Sequence, residues 1–167
     1  YPRFQSFTNN VIINGLGEDI KYIGGYSLSG RKSFSSCVDE GPATIQIMHA
    51  GVPKIKSISR KFEFGDSLVT APISNIVLYM GSGDSIYHPG TIFKFNRNSE
   101  TLKLYKQSGF KNAPFIDTYH KLEIIADALT WNLNEPKIDF AIINAKEQIP
   151  ATFESEEYFN AEKYAAM

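Results

Sequence analysis

The chain has 167 residues with 17 basic and 18 acidic side chains, a formal net charge of −1. It therefore lacks the cationic surplus with which proteins capture nucleic acid through many phosphate contacts. Its 43% hydrophobic and 21% charged residues describe one folded β-rich domain over residues 1–167, large enough to bury roughly 70% of its unfolded surface without metal or disulfide support.

A single cysteine, Cys37, excludes an internal disulfide. No apolar run approaches the ~20 residues of a membrane-spanning helix. The opening Tyr1-Pro2-Arg3-Phe4 carries neither an initiator methionine nor a signal-peptide pattern, and reads as a processed chain or a piece of a longer one.

Glycine and proline punctuate the sequence: all glycines lie at or before Gly109, and prolines recur at 42, 53, 72, 89, 114, 136 and 150. Between them lie short runs rich in Ile, Val, Phe, Tyr and Thr, the composition of strands. In chain order the first candidates are Val11–Asn14, Ile20–Leu28 and Lys32–Ser36. Ala43–His49 follows, with Ile45 and Ile47 alternating against Thr44, Gln46 and Met48. In Lys54–Phe64, Phe62 and Phe64 are in phase, but Ile55 and Ile58 are three apart, which predicts a bulge or bend near Ser57.

Ser67–Thr70 and Asn75–Met80 are read as two further strands. Thr91–Phe95 and Thr101–Lys106 form the clearest hairpin. Phe93 and Phe95 share a face opposite Ile92 and Lys94, and Leu102 and Leu104 lie opposite Thr101, Lys103 and Tyr105. Asn96-Arg97-Asn98-Ser99 is its turn, since Asn and Ser hydrogen-bond locally to turn backbone.

Tyr119–Leu133 fits both a helical stripe and a strand, and its neighbours favour β through Ala126; Ile138–Ile143 is another strand. A short C-terminal helix is expected over Ser155–Ala165, with Ser155 as N-cap and Glu156 and Glu157 in the first turn. Short β-rich runs separated by turns predict a mostly β fold, either an antiparallel sandwich or a stacked, solenoid-like architecture.

No catalytic motif stands out. The three histidines, His49, His88 and His120, show no His-x-x-x-His spacing, and one cysteine cannot build a thiolate zinc site. Gly81-Ser82-Gly83 lacks the spacing of a nucleophile elbow, and Asn14-Gly15-Leu16-Gly17 lacks a third glycine and a following helix. Both glycine pairs read as tight turns that need positive φ. The carboxylates Asp39, Glu40, Glu154, Glu156 and Glu157 read as solvated turn and helix-cap residues rather than a glycosidase pair. Trp131, the only tryptophan, reads as a core anchor.

One polar set remains. The stretch 79–90 mixes aromatics, small residues, an acid and an imidazole and reads as a loop that could stack on sugar faces. Asp84-Ser85-Ile86-Tyr87-His88 is echoed by Asp117-Thr118-Tyr119-His120. The candidate ligand-binding residues are thus Asp84, Tyr87, His88, Asp117, Tyr119 and His120.

The segments Gly24-Gly25-Tyr26-Ser27-Leu28-Ser29-Gly30, Asp84 to Gly90, Phe115 to Lys121 and Phe153-Glu154-Ser155 resemble phrases in large uncharacterised β-rich proteins of bacterial cell envelopes. The resemblance spans most of residues 20 to 160. It implies an extracytoplasmic segment of a longer chain and transfers no site residue.

Three functions are compatible with this reading. The leading one is a non-catalytic structural or interaction module of a larger envelope or surface protein, with neighbouring domains or other proteins as partners. The second is a carbohydrate-binding module that uses the 79–90 stretch with Tyr119 and His120. The third is a metal-assisted hydrolase built on Asp84, His88, Asp117 and His120. No cofactor, nucleic acid or membrane span is expected.

Overall fold

The computed structural model describes residues 3–35, 41–81, 83–143, 148–150 and 152–155. The described residues form seventeen strands. In the N-terminal half these are β1 (Arg3–Gln5), β2 (Val11–Ile13), β3 (Ile20–Gly24), β4 (Ser27–Ser29), β5 (Lys32–Phe34), β6 (Ala43–His49), β7 (Val52–Ser59), β8 (Glu63–Phe64) and the long β9 (Leu68–Gly81). A second long strand, β10 (Asp84–Asn96), opens the other half. It is followed by β11 (Thr101–Lys106), β12 (Phe115–Asp117), β13 (Leu122–Ile125), β14 (Ala128–Asn132), β15 (Ile138–Ile143), β16 (Gln148–Pro150) and β17 (Thr152–Ser155).

All the strand pairs are antiparallel, and they divide into two arms that share β9 and β10. The first arm runs β2-β3-β6-β7-β9-β10-β12-β13-β17. The second runs β1-β4-β5-β8-β9-β10-β11-β14-β15-β16. Asn75–Leu78 of β9 pairs with β7, whereas Val69 and Thr70 pair with β8. Likewise Ile86 and Tyr87 of β10 pair with β12, whereas Thr91–Asn96 pair with β11.

The crease between the arms is written in the burial pattern. On β9 the buried positions are Val69 and Ala71 before the crease and Ser74, Ile76 and Leu78 after it. On β10 they are Ile86, His88 and Gly90, then Thr91, Phe93 and Phe95. The alternation slips by one residue at Pro72-Ile73 and at Pro89-Gly90, and the β9–β10 register shifts between His88 and Thr91. Proline removes a ladder donor and is tolerated where pairing is interrupted. The two prolines therefore mark a bend inside long strands.

Side chains repair the interrupted ladder. Ser59 donates its hydroxyl to the Ile73 carbonyl at 2.6 Å, Thr91 to the Ser74 carbonyl at 3.3 Å, and the Ser57 and Ser74 hydroxyls meet at 2.8 Å. Buried carbonyls left without partners would each cost about 1–3 kcal/mol. Gly90 is required here as well: a Cβ at this position would sit 2.2 Å from the Phe110 ring.

The two arms of the sheet meet through their buried side chains. Tyr22 of the first arm meets Phe62, in the link from β7 to β8, and Phe64 of the second arm edge-on, with ring centroids 6.4 and 5.1 Å apart. Phe115 of the first arm meets Phe140 of the second at 5.6 Å. A contiguous cluster running from Leu16 to Leu133 fills the space between them, and each fully buried large side chain contributes roughly 1.5–3 kcal/mol. Trp131 belongs to this cluster.

The mostly β, antiparallel expectation holds, with corrections in detail. The stretch 79–90 is not a loop: it is the end of β9, a tight turn, and the first seven residues of β10, with Gly81 and Gly83 at positive φ. No bulge lies at Ser57. Ile55, Ser57 and Ser59 all face inward and Ile58 outward, while the β6–β7 irregularity falls at Ile47/Met48. Ser155 ends strand β17 rather than capping a helix. The rest of the expected C-terminal helix, Glu156 and Glu157 included, lies outside the described residues, as do Cys37, Asp39 and Glu40.

Candidate functional site

The two Tyr-His segments meet. β10 and β12 are neighbours, with Ile86 opposite Asp117 and Tyr87 opposite Ile116. Thr118 tightens the junction: its amide and hydroxyl both donate to the Ser85 carbonyl, at 2.9 and 3.0 Å, and its hydroxyl oxygen accepts from the Ser85 amide at 2.8 Å.

Strand alternation then separates their side chains. His88 points into the core and has no exposed surface. Tyr87 points the other way, where its hydroxyl accepts from Asn75 Nδ2 at 3.1 Å. Asp117 shares the inward face with His88 but sits at its rim. Tyr119 and His120 lie in the turn between β12 and β13 and are exposed, their rings edge to face at 4.6 Å. Asp84 starts β10 opposite Gly81.

His88 is fully committed within the protein. The Gly90 amide donates to Nδ1 at 3.0 Å, so the ring proton must sit on Nε2, which faces the Ala113 carbonyl at 3.0 Å. The ring also lies 4.6 Å from Phe115. Burial lowers the imidazole pKa; the hydrogen bond to Ala113 opposes this and the Lys106 charge adds to it. A second proton on Nδ1 would confront the Gly90 N–H, so His88 is held neutral and has no lone pair free for a metal or substrate.

Lys106 reaches the same region, with its ammonium 3.4 Å from the Lys111 carbonyl and 6.0 Å from the Phe115 ring centroid. Burial lowers its pKa and Asp127 partly offsets that.

Asp117 acts on its own turn. One carboxylate oxygen accepts from the Tyr119 and His120 amides at 2.9 and 3.3 Å, and the other meets His120 Nδ1 at 2.8 Å. This is an Asx-type turn, closed by Lys121 at φ 53°. Among the described residues, no three His, Cys, Asp or Glu side chains converge to hold a metal ion. The six residues are thus adjacent in the chain ladder but divided among a core, an outer face and a turn.

A second constellation, which no residue pattern signals, lies where three hairpin tips meet. Glu100, at φ 51° in the β10–β11 turn, has one carboxylate oxygen 3.5 Å from Nδ1 of His49, the last residue of β6. Its other oxygen accepts from Asn134 Nδ2 at 2.9 Å, and its carbonyl accepts the Leu133 amide at 3.0 Å. Three hairpin tips from both arms are tied together by one side chain. Beside this clasp lies an open cleft of about 380 Å³, with His49, Tyr79 and Met80 on one side and Trp131, Leu133 and Pro136 on the other.

The third feature is the N-terminal margin. β1 pairs with β4 and β2 with β3, each along one edge. Among the described residues these outermost strands have no second neighbour. Exposed apolar side chains line this margin: Phe4 on β1 is 56% exposed, Ile12 on β2 63%, and Phe7 in the link between them 93%. Ile12 stands directly opposite Ile23, itself 52% exposed.

No family model, curated protein or solved structure matches the chain.

Proposed function

We propose that this protein is a non-catalytic interaction module of a larger envelope or surface protein, joined to a neighbouring β module through its N-terminal margin. The observation that carries this reading is the pair of open strands β1 and β2 bearing Phe4 and Ile12, with the exposed Phe7 in the segment that links them. An open strand presents unpaired N–H and C=O groups in a row, and natural sheets normally blunt such edges with charge, proline or a covering segment. Here the edge, Arg3 aside, carries exposed apolar groups, the composition that supports strand addition with side-chain specificity.

The neutral, buried state of His88 and the turn-stabilising use of Asp117 fit this reading, because both residues serve the fold. The test is sedimentation of the wild-type chain and of an Ile12→Lys, Phe4→Ser double variant, together with hydrogen exchange at residues 11–13. Concentration-dependent association that disappears in the variant is expected. A wild-type chain that stays monomeric at high concentration, with its β2 amides already protected, overturns the reading.

A further inference from the structure

The outer face of the second arm carries a charge arrangement that neither the fold nor the association reading uses. Lys94 on β10 and Lys103 on β11 stand directly opposite each other. Like charges at opposed positions repel and destabilise a sheet. Their neighbours along the same row are Thr70 on β9 and Thr130 on β14. The adjacent row holds Leu68, Asn96, Thr101 and Asn132. On the other side Ile92 faces Tyr105.

None of these positions supplies a carboxylate; the row reaches acids only one strand further out, at Glu63 on β8 and Asp139 on β15, and Asp139 is paired with Lys137. Lys94 holds its ammonium 5.7 Å over the Tyr105 ring, and among the described residues neither lysine makes an ion pair. The two lysines border a shallow groove of about 370 Å³ whose wall includes Asn96, Ser99, Thr101 and Tyr105, within the size range of ligand sites.

We propose that this groove binds an acidic polysaccharide, its carboxylates held by Lys94 and Lys103 and its hydroxyls by Asn96, Ser99 and Thr101. β10 and β11 are interior strands, with their backbone groups spent in ladders to β9 and β14. Only side chains reach a ligand on this face, which rules against the main-chain capture that extended peptides use at sheet edges. Ammonium groups are non-directional point charges that accept a carboxylate at many angles. Nucleic acid capture depends on neutralising many phosphates at once, and two lysines on a chain of net charge −1 do not provide that. A hydroxyl-rich chain carrying carboxylates matches both parts of the lining.

The test is affinity electrophoresis and calorimetric titration of the full chain against polygalacturonate, with dextran, a poly-glutamate peptide and duplex DNA as comparison ligands. The expected result is retention by polygalacturonate that weakens as salt rises, with little retention by dextran. Affinity should drop about tenfold or more in a Lys94→Gln, Lys103→Gln double variant. That variant should fold at least as well as wild type, because it relieves a repulsion. Binding of the polyuronate should survive the Ile12→Lys, Phe4→Ser changes, so failure here and failure of the association reading are distinguishable. Equal retention of the lysine variant, equal retention by dextran, or equal binding of poly-glutamate or DNA overturns the proposal.

Discussion

The dipeptide Tyr-His occurs twice, in segments that become neighbours in one sheet, and it has opposite fates. In Tyr87-His88 the imidazole is sealed in the core with both ring nitrogens bonded. In Tyr119-His120 it stands in solvent, tied to Asp117. The residue types do not decide this; position does. His88 falls on an inward step of β10 beside the crease, where interrupted pairing leaves the Gly90 amide and the Ala113 carbonyl in need of partners. His120 falls in a turn, where an Asp side chain already satisfies the amides. A recurring pair of polar residues therefore gives a structural element in one place and a surface group in the other.

The largest expected effect breaks the buried half of this comparison. His88→Leu keeps the volume but removes the partner of the buried Gly90 amide and of the half-buried Ala113 carbonyl, so it should cost about 2–4 kcal/mol in a denaturant titration. A loss below about 0.5 kcal/mol, the range of an ordinary surface change, would mean that the ring is filler and its bonds contribute nothing.

The same histidine gives the next effect, through pH. Its folded-state pKa lies below the ordinary value of about 6.5 because burial disfavours the imidazolium. Above that value both folded and unfolded chains hold the ring neutral, and its contribution is intact. Between about 6.5 and the lowered folded value, only the unfolded chain takes up the proton. Stability should then fall with decreasing pH by up to about 1.4 kcal/mol per pH unit from this group, levelling once the folded ring also protonates. Denaturant midpoints taken from about pH 7 down to about pH 5 should show this limb in the wild type and a shallower one in His88→Leu. Identical slopes would remove His88 as its source.

Much of the sheet was legible because alternation is a local signal. The boundaries of β6, β11 and β15 follow from apolar residues spaced by two, and the Asn96–Ser99 turn follows from Asn96 Oδ1 accepting the Asn98 and Ser99 amides. The long strands were not legible as such. At Pro72 and Pro89 the alternation slips by one residue, so a reading by period divides β9 into two strands and takes the start of β10 for a loop. Ser57, Ser59 and Ser74 were hidden for a related reason. A pattern reading sends hydroxyls outward, whereas the crease needs donors inside.

The candidate site was legible only as composition. That the two Tyr-His segments meet depends on a pairing across a sequence separation of 31 residues, Ile86 to Asp117. That they do not converge follows from a phase on β10 that Pro89-Gly90 resets. The opposed lysines lie between these cases. The turn length and the outward parity of Lys94 and Lys103 were both in the sequence, but their lack of carboxylate neighbours emerges only once β9 and β14 flank the hairpin.

The smallest effects sharpen the exposed half of the comparison. Asp117 touches both the turn amides and the His120 ring, and the two uses can be separated. Asp117→Ala removes acceptors from two backbone amides and should cost about 1–2 kcal/mol, as loss of a comparable capping side chain does. His120→Ala removes only a solvent-exposed partner, so the change should stay within about 0.5 kcal/mol, since such pairs contribute little once side-chain ordering and screening are counted. Thermal or denaturant unfolding of the two variants, measured side by side, decides between them. If His120→Ala costs as much as Asp117→Ala, the imidazole rather than the amides is what the carboxylate holds in place. The turn would then depend on a surface contact that a partner can remove. If the gap is as expected, the turn holds without the ring, and Tyr119 and His120 are free surface groups on a pre-formed corner.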